Sequence, residues 1–121
     1  MSTDLNVIIR ETRGDLAAAA VRGVMDLHTT PALHEQAAGL LNTHQELVLD
    51  LSSVAFCDSS GLNTLLRLHR HARATGGTLA LACIPDQVMR LLTLTGASSV
   101  LDLFTTTDEA LTALSDPRTS P

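Results

Sequence analysis

The residues best equipped for chemistry sit together in Phe56-Cys57-Asp58-Ser59-Ser60-Gly61-Leu62. This stretch follows the apolar run Glu46–Leu51 and precedes a helix-like pattern, so the hydroxyls of Ser59 and Ser60 fall at the mouth of a helix. Backbone N–H groups are unpaired at such a position and the helix dipole is positive there. An anion carried on Ser59 or Ser60 would be stabilised without any basic side chain. A phosphoserine adds about −1.5 to −2 charges and three acceptor oxygens, so the position suits a phosphorylation switch. A purely structural role stays open beside it. Either serine could simply be the N-cap, and locally that reading is the commoner one.

Other reactive groups have less support from their neighbours. Asp50 ends a strand-like run, as the phosphoacceptor of a receiver domain does, but such domains also need an acidic pair after the first strand and a later Lys. The chain has neither. Ser59 as a hydrolase nucleophile lacks both a Gly-x-Ser-x-Gly elbow and a His whose spacing nominates it as base. His69 and His71 are two apart on a helix, hence on different faces, and cannot share a metal. His69 is expected to pack inward and His71 to be exposed. Arg67, Arg70 and His71 could meet an acidic partner surface, although a solvated helix face is the commoner arrangement. Cys57 and Cys83 have no metal-ligand spacing and are expected to be buried thiols. Arg13-Gly14-Asp15 reads as a turn.

The composition narrows the field further. The chain has 121 residues, enough for one self-sufficient core. All eight basic residues are Arg, which excludes amine chemistry such as a Schiff base or a phosphate-loop lysine. Net charge is −5, which disfavours nucleic acid or an anionic membrane as the main partner. With no Trp or Tyr and two Phe, the core must be built from Leu, Val, Ile and Ala. No apolar stretch approaches a membrane span and the N-terminus lacks a signal-peptide pattern, so a soluble cytoplasmic protein is expected. No cofactor or metal is called for.

The elements that must position the serines alternate in type. Leu5–Arg10 and Leu16–Arg22 are predicted strands of a hairpin about Gly14-Asp15. Thr30 with Pro31 reads as an N-cap and N1 pair opening a helix through about Asn42, with Leu33, Ala37, Leu40 and Leu41 at helical spacing. Glu46–Leu51 is a strand, Ser52–Ser60 a loop, and Gly61 opens a helix with Leu62, Leu65, Leu66, His69 and Ala72 inward. That helix stops at Gly76-Gly77. Thr78–Ile84 is a buried strand. Pro85-Asp86 starts a third helix with Val88, Leu91 and Leu92 inward, ended by Gly96. A strand near Val100–Phe104 comes next, and Thr106-x-x-Glu109 is a capping box for a last helix through Leu114. Apolar strands separated by helices give an α/β fold: a mixed sheet, hairpin first and then β-α alternation, covered by about four helices. Residues 1–4 and 115–121 are expected to be short flexible ends of a domain spanning 5–114.

Taken in order, these motifs resemble the STAS domain, the module shared by bacterial anti-sigma factor antagonists and the cytoplasmic parts of sulphate transporters. Gly23-Val24-Met25-Asp26 with Thr29 is similar to the family's Gly-x-x-Asp after the second strand. Leu47–Leu51 with Val54 and Phe56 resembles its central strand, and Asp58-Ser59-Ser60-Gly61-Leu62 its Asp-Ser-Ser/Thr-Gly-Leu signature. Gly76-Gly77, Leu91-Leu92-x-x-Thr95-Gly96 and Glu109-Ala110-Leu111 extend the likeness over roughly 5–114. In the antagonist branch the resemblance implies that Ser59 is the phosphate acceptor and that Asp26, Asp58, Ser60, Gly61 and Asn63 surround it or meet the partner. That partner is an anti-sigma factor that is also an ATP-dependent serine kinase, bound when Ser59 is unmodified and released on phosphorylation, with a serine phosphatase resetting the system. Asn63, where antagonists often carry Gly, and Arg67, bulkier than usual, are departures expected on the exposed side of the helix. The resemblance leaves one alternative, a STAS subunit of a lipid-transporting ABC complex with no phosphoswitch. A small serine hydrolase is a distant third.

Overall fold

A computed structural model describes residues 5–115. Its order is β1 (Asn6–Arg13), β2 (Leu16–Met25), α1 (Thr30–Thr43), β3 (Glu46–Cys57), α2 (Ser59–Ala74), β4 (Thr78–Ala82), α3 (Asp86–Leu94), β5 (Asp102–Phe104) and α4 (Thr107–Ser115). The five strands form one sheet in sequence order. β1 is antiparallel to β2, and β2, β3, β4 and β5 run parallel. This is the mixed α/β sheet with four helices that the alternation predicts.

Alternation of side chains across the pleat explains how the helices divide between faces. Ala17, Ala19, Val21, Leu47, Leu49, Leu51, Leu79 and Leu81 point to the face carrying the inward residues of α1, α2 and α3. Ala18, Val48, Ala80 and Ala82 point to the other face, where Ala110 and Leu111 of α4 close a smaller core. The central strands are therefore apolar on both sides, which is why Leu16–Val21 and Leu47–Leu49 show no polar alternation. The alanines of β2 admit close approach of helices on either face.

Several boundaries differ from the sequence reading. β3 does not stop at Leu51 but continues to Cys57, because β2 continues beside it as far as the Met25–Cys57 pair. β1 likewise runs on to Arg13, across an irregularity between Ile9 and Glu11. The N-cap of α1 is Thr29 rather than Thr30. Its hydroxyl is engaged with Val24 O at 2.6 Å, so the turn, not the threonine nearest Pro31, sets the helix start. α2 opens at Ser59 rather than Gly61, and its fully buried inner residues include Leu68 in place of His69. His69 is half-buried, with Nδ1 enclosed and no hydrogen-bond partner among the described residues. β4 ends at Ala82. Val100 lies outside β5, exposed, after a 3-10 turn over Ala97–Ser99 that Gly96 enters at φ 80°. Half of the expected capping box forms at α4, where Glu109 N donates to Thr106 Oγ1 at 3.1 Å. α4 reaches Ser115, one residue into the expected C-terminal end; the rest of that end and residues 1–4 lie outside the described residues.

Candidate functional site

The site forms where β2 and β3 end side by side. Met25 and Cys57 are ladder partners, so the residues directly after them, Asp26 and Asp58, leave adjacent strands at the same edge of the sheet. Neighbouring strands are about 4.8 Å apart, which makes these two loops direct neighbours. A hydrogen bond from Asp58 N to Met25 O at 3.1 Å ties them together. Each loop feeds a helix, α1 after Asp26 and α2 after Asp58, and both helices start at this edge.

Both aspartates are spent on organising backbone. Asp58 Oδ1 accepts from Ser60 N at 2.8 Å and Gly61 N at 3.1 Å, which makes Asp58 the N-cap of α2. Asp26 Oδ1 accepts from His28 N at 2.9 Å and Thr29 N at 3.1 Å, closing the turn that starts α1. Thr29 Oγ1 in turn accepts from Asp26 N at 3.0 Å.

The serines consequently differ from the structural role left open for them. Neither Ser59 nor Ser60 caps the helix, since Asp58 already supplies the acceptor for the N–H groups that need one. Ser59 is the first residue of α2 and exposed; Ser60 is half-buried, with its carbonyl accepting from Thr64 Oγ1 at 3.0 Å. Among the described residues the Ser59 hydroxyl makes no hydrogen bond. An exposed hydroxyl at a helix N-terminus, directly after the Asp58 carboxylate in the chain, is accessible to an incoming reagent.

Gly61 has a packing reason to be glycine. A Cβ there would lie 2.7 Å from Met25 O and 2.8 Å from both Cys57 Sγ and Met25 Cβ. The first turn of α2 thus rests directly on the strand ends. Asn63, one turn beyond Ser59, is exposed, as is Arg67. Beside them runs a shallow groove of about 380 Å³ lined by Ser59, Leu62, Asn63, Leu66, Ala97 and Val100 among others.

Cys57 is buried beneath the site. Burial, with the Asp58 charge adding, pushes its thiol up to about 12. Cys83 is half-buried rather than buried, at φ 55°. On the flank of the α1–α2 pair, burial lowers the His34 pKa, with Arg67 and His71 contributing. His71 is half-buried rather than exposed, its Nε2 3.4 Å from Asn42 Oδ1. No group of three or more His, Cys, Asp or Glu able to hold a metal occurs among the described residues. Among them, no helix is long and apolar enough to cross a membrane.

One contributor carries no signal in the sequence. Gln87 of α3 accepts from Cys57 N at 3.0 Å and donates to Cys57 O at 2.8 Å. Its partner lies 30 residues away on another element, and an exposed-looking Gln in a short helix gives no hint of it.

A five-stranded mixed sheet with an Asp-Ser-Ser-Gly-Leu helix start at the end of its long central strand defines the class: the chain belongs to the STAS domain family, whose model matches residues 7–110. Among curated relatives it is similar to the anti-sigma F factor antagonist of Paenibacillus polymyxa, 28% identical over 113 residues, covering 92% of this chain and 96% of that protein. It is also similar to the anti-sigma-B factor antagonist of Bacillus subtilis, 25% identical over 100 residues, covering 83% and 91%. Among solved structures, an anti-sigma factor antagonist from Mycobacterium paratuberculosis superposes with a TM-score of 0.82 at 28% identity, covering 93% of this chain and 95% of that one. SpoIIAA of Bacillus in its phosphorylated form shares the fold, with a TM-score of 0.67 at 16% identity, covering 88% and 96%.

Proposed function

We propose that this chain is an anti-sigma factor antagonist: a cytoplasmic binding protein that captures an anti-sigma factor while Ser59 is unmodified and releases it when Ser59 is phosphorylated. The observation that carries this reading is the free, exposed hydroxyl of Ser59 at the first position of α2, relieved of capping duty by Asp58. The antagonist names of the full-length relatives favour it over a transport-complex subunit. The partner in this reading is an ATP-dependent serine kinase as well as an anti-sigma factor, and a serine phosphatase restores the binding form.

Physically, the switch is a change of charge at a surface that must be desolvated on binding. Phosphorylation takes the chain from net −5 to about −6.5 or −7 and places the dianion next to Asp58 in the chain, at the sheet edge where the Asp26 loop also leaves. Taking a charge out of water in an interface costs several kcal/mol, and each 1.4 kcal/mol is about tenfold in affinity.

The test uses a candidate anti-sigma factor kinase with ATP and intact-mass measurement. One phosphate is expected on the parent chain and none on Ser59→Ala. Ser59→Asp is expected to weaken binding at least about tenfold, while Ser59→Ala binds as the parent does. Phosphate on Ser60 instead, or unchanged binding of Ser59→Asp, overturns the assignment. Stable co-purification with a membrane permease in place of a kinase would favour the transport reading.

A further inference from the structure

Beyond Asp50–Ala82 the ladder between β3 and β4 ends, and the last seven residues of β3 keep a strand partner on the β2 side only. On the other side, the vacant edge at Cys57 is taken by the Gln87 side chain, which gives one hydrogen bond to the carbonyl and takes one from the N–H. These are the two bonds that a neighbouring strand would provide from two of its peptide units. A side-chain amide donates and accepts in one plane without having to change its protonation state, and Asn is a methylene shorter. Cys57 is thereby clamped between Met25 and α3.

The clamp bears directly on Ser59, two residues further along the chain. The Ser59 hydroxyl has no hydrogen bond of its own among the described residues, so its placement is inherited from the backbone at Cys57 and Asp58. We propose that Gln87 is a positioning residue for Ser59: its side-chain amide fixes the end of β3, and with it the aim of the acceptor hydroxyl presented to a kinase. This role rests on the phosphorylation of Ser59 proposed above. It also makes α3 part of the switch, since a partner contact that shifts α3 moves the clamp at Cys57 along with the packing of Val88 and Leu92. Misplacement of a reacting group by about 1 Å can cost as much as 10²-fold in rate, so loss of the clamp is expected in turnover and not in docking.

The experiment compares the parent with Gln87→Leu, which removes both bonds at similar volume, and Gln87→Glu, which retains only an acceptor. Leu114→Ala, packed on the opposite face of the sheet, serves as a variant that lowers stability without touching the clamp. Amide hydrogen exchange, which needs no partner, is expected to speed up at least about tenfold at Cys57 in Gln87→Leu while the core strands stay protected. With the kinase and ATP, the phosphorylation kcat is expected to fall about tenfold in both Gln87 variants, with KM for the antagonist changing less than about twofold. Leu114→Ala should alter neither quantity. Unchanged exchange at Cys57, or a rise in KM with kcat preserved, overturns the positioning role while leaving the proposed function intact. A parent chain that accepts no phosphate overturns the proposed function, and this role with it.

Discussion

Gly61→Ala tests how closely the first turn of α2 sits on the strand ends. The added methyl would meet Met25 O at 2.7 Å, well short of the 3.4 Å at which ordinary contact begins, and Met25 O is backbone of a strand that also accepts from Asp58 N. Neither Met25 nor buried Cys57 can swing aside like the tip of a long side chain, so the helix itself must back away. A clash this close with backbone belongs at the upper end of overpacking costs, about 2–3 kcal/mol, partly offset by the roughly 1 kcal/mol that Ala gains over Gly in a helix. A net loss of about 1–2 kcal/mol corresponds, for a chain of this size, to a Tm lower by about 4–8 °C. The same substitution at Gly39 is the internal control. Gly39 lies exposed in α1 with no heavy atom within 4 Å of the added carbon, so only the propensity gain remains. Gly39→Ala should therefore raise stability by about 0.5–1 kcal/mol. Thermal and urea unfolding of both variants decide the matter. A Gly61→Ala protein as stable as the parent, or one that shifts in the same direction as Gly39→Ala, refutes the close-packing account.

Asp58→Ala removes the acceptor for Ser60 N and Gly61 N and should cost about 1–2 kcal/mol in urea unfolding, whereas Asp58→Asn, a competent cap, should cost less than about 1; equal losses would mean the cap is not what Asp58 contributes. His34 has its pKa lowered by burial, Arg67 and His71, so the unfolded chain binds more protons in that window and stability is lost as pH falls through it. His34→Gln should flatten the decline between about pH 7.5 and 5, and an unchanged slope would show that His34 is not its source. Cys57, 1% exposed with its thiol pushed up to about 12, should resist alkylation in the native chain near pH 8 and react on unfolding, as peptide mass mapping would show; rapid native labelling contradicts the burial.

Hydrophobic pattern alone makes most of the fold legible. The runs at Leu47–Leu51 and Leu79–Ala82 are largely apolar on both faces and fit only central strands, and Gly76 with Gly77 marks the end of α2. The features that the pattern misses have a common cause. From Leu51 onward, buried positions in β3 fall at Leu51, Val54 and Cys57, a spacing that fits neither a regular strand nor a helix. That spacing arises from register shifts against β2, a partner that local sequence does not reveal. The same limit applies at the site. Asp58, Ser59 and Ser60 can all cap a helix, and the choice of Asp58 is made by where β3 ends, a tertiary fact. Gln87 shows the limit in its purest form, because its whole contribution is a pair of contacts with a residue on another element.

The uneven lengths of the strands have a consequence for access. β4 stops at Ala82 while β2 and β3 carry on together, a twisted ribbon that outruns the β4–β5 half of the sheet by several residues. Seven residues of extended chain reach roughly 20 Å. That span is not left bare: Cys57 at its end is buried and held by Gln87, so α3 fills the side that β4 leaves empty. Ser59 consequently stands at a closed corner, sharing one groove with Asn63, Leu66, Ala97 and Val100. The early stop of β4 thus makes a groove between helices, in place of a free strand edge, the surface beside the Ser59 hydroxyl, and whatever covers that groove also covers the apolar side chains that line it.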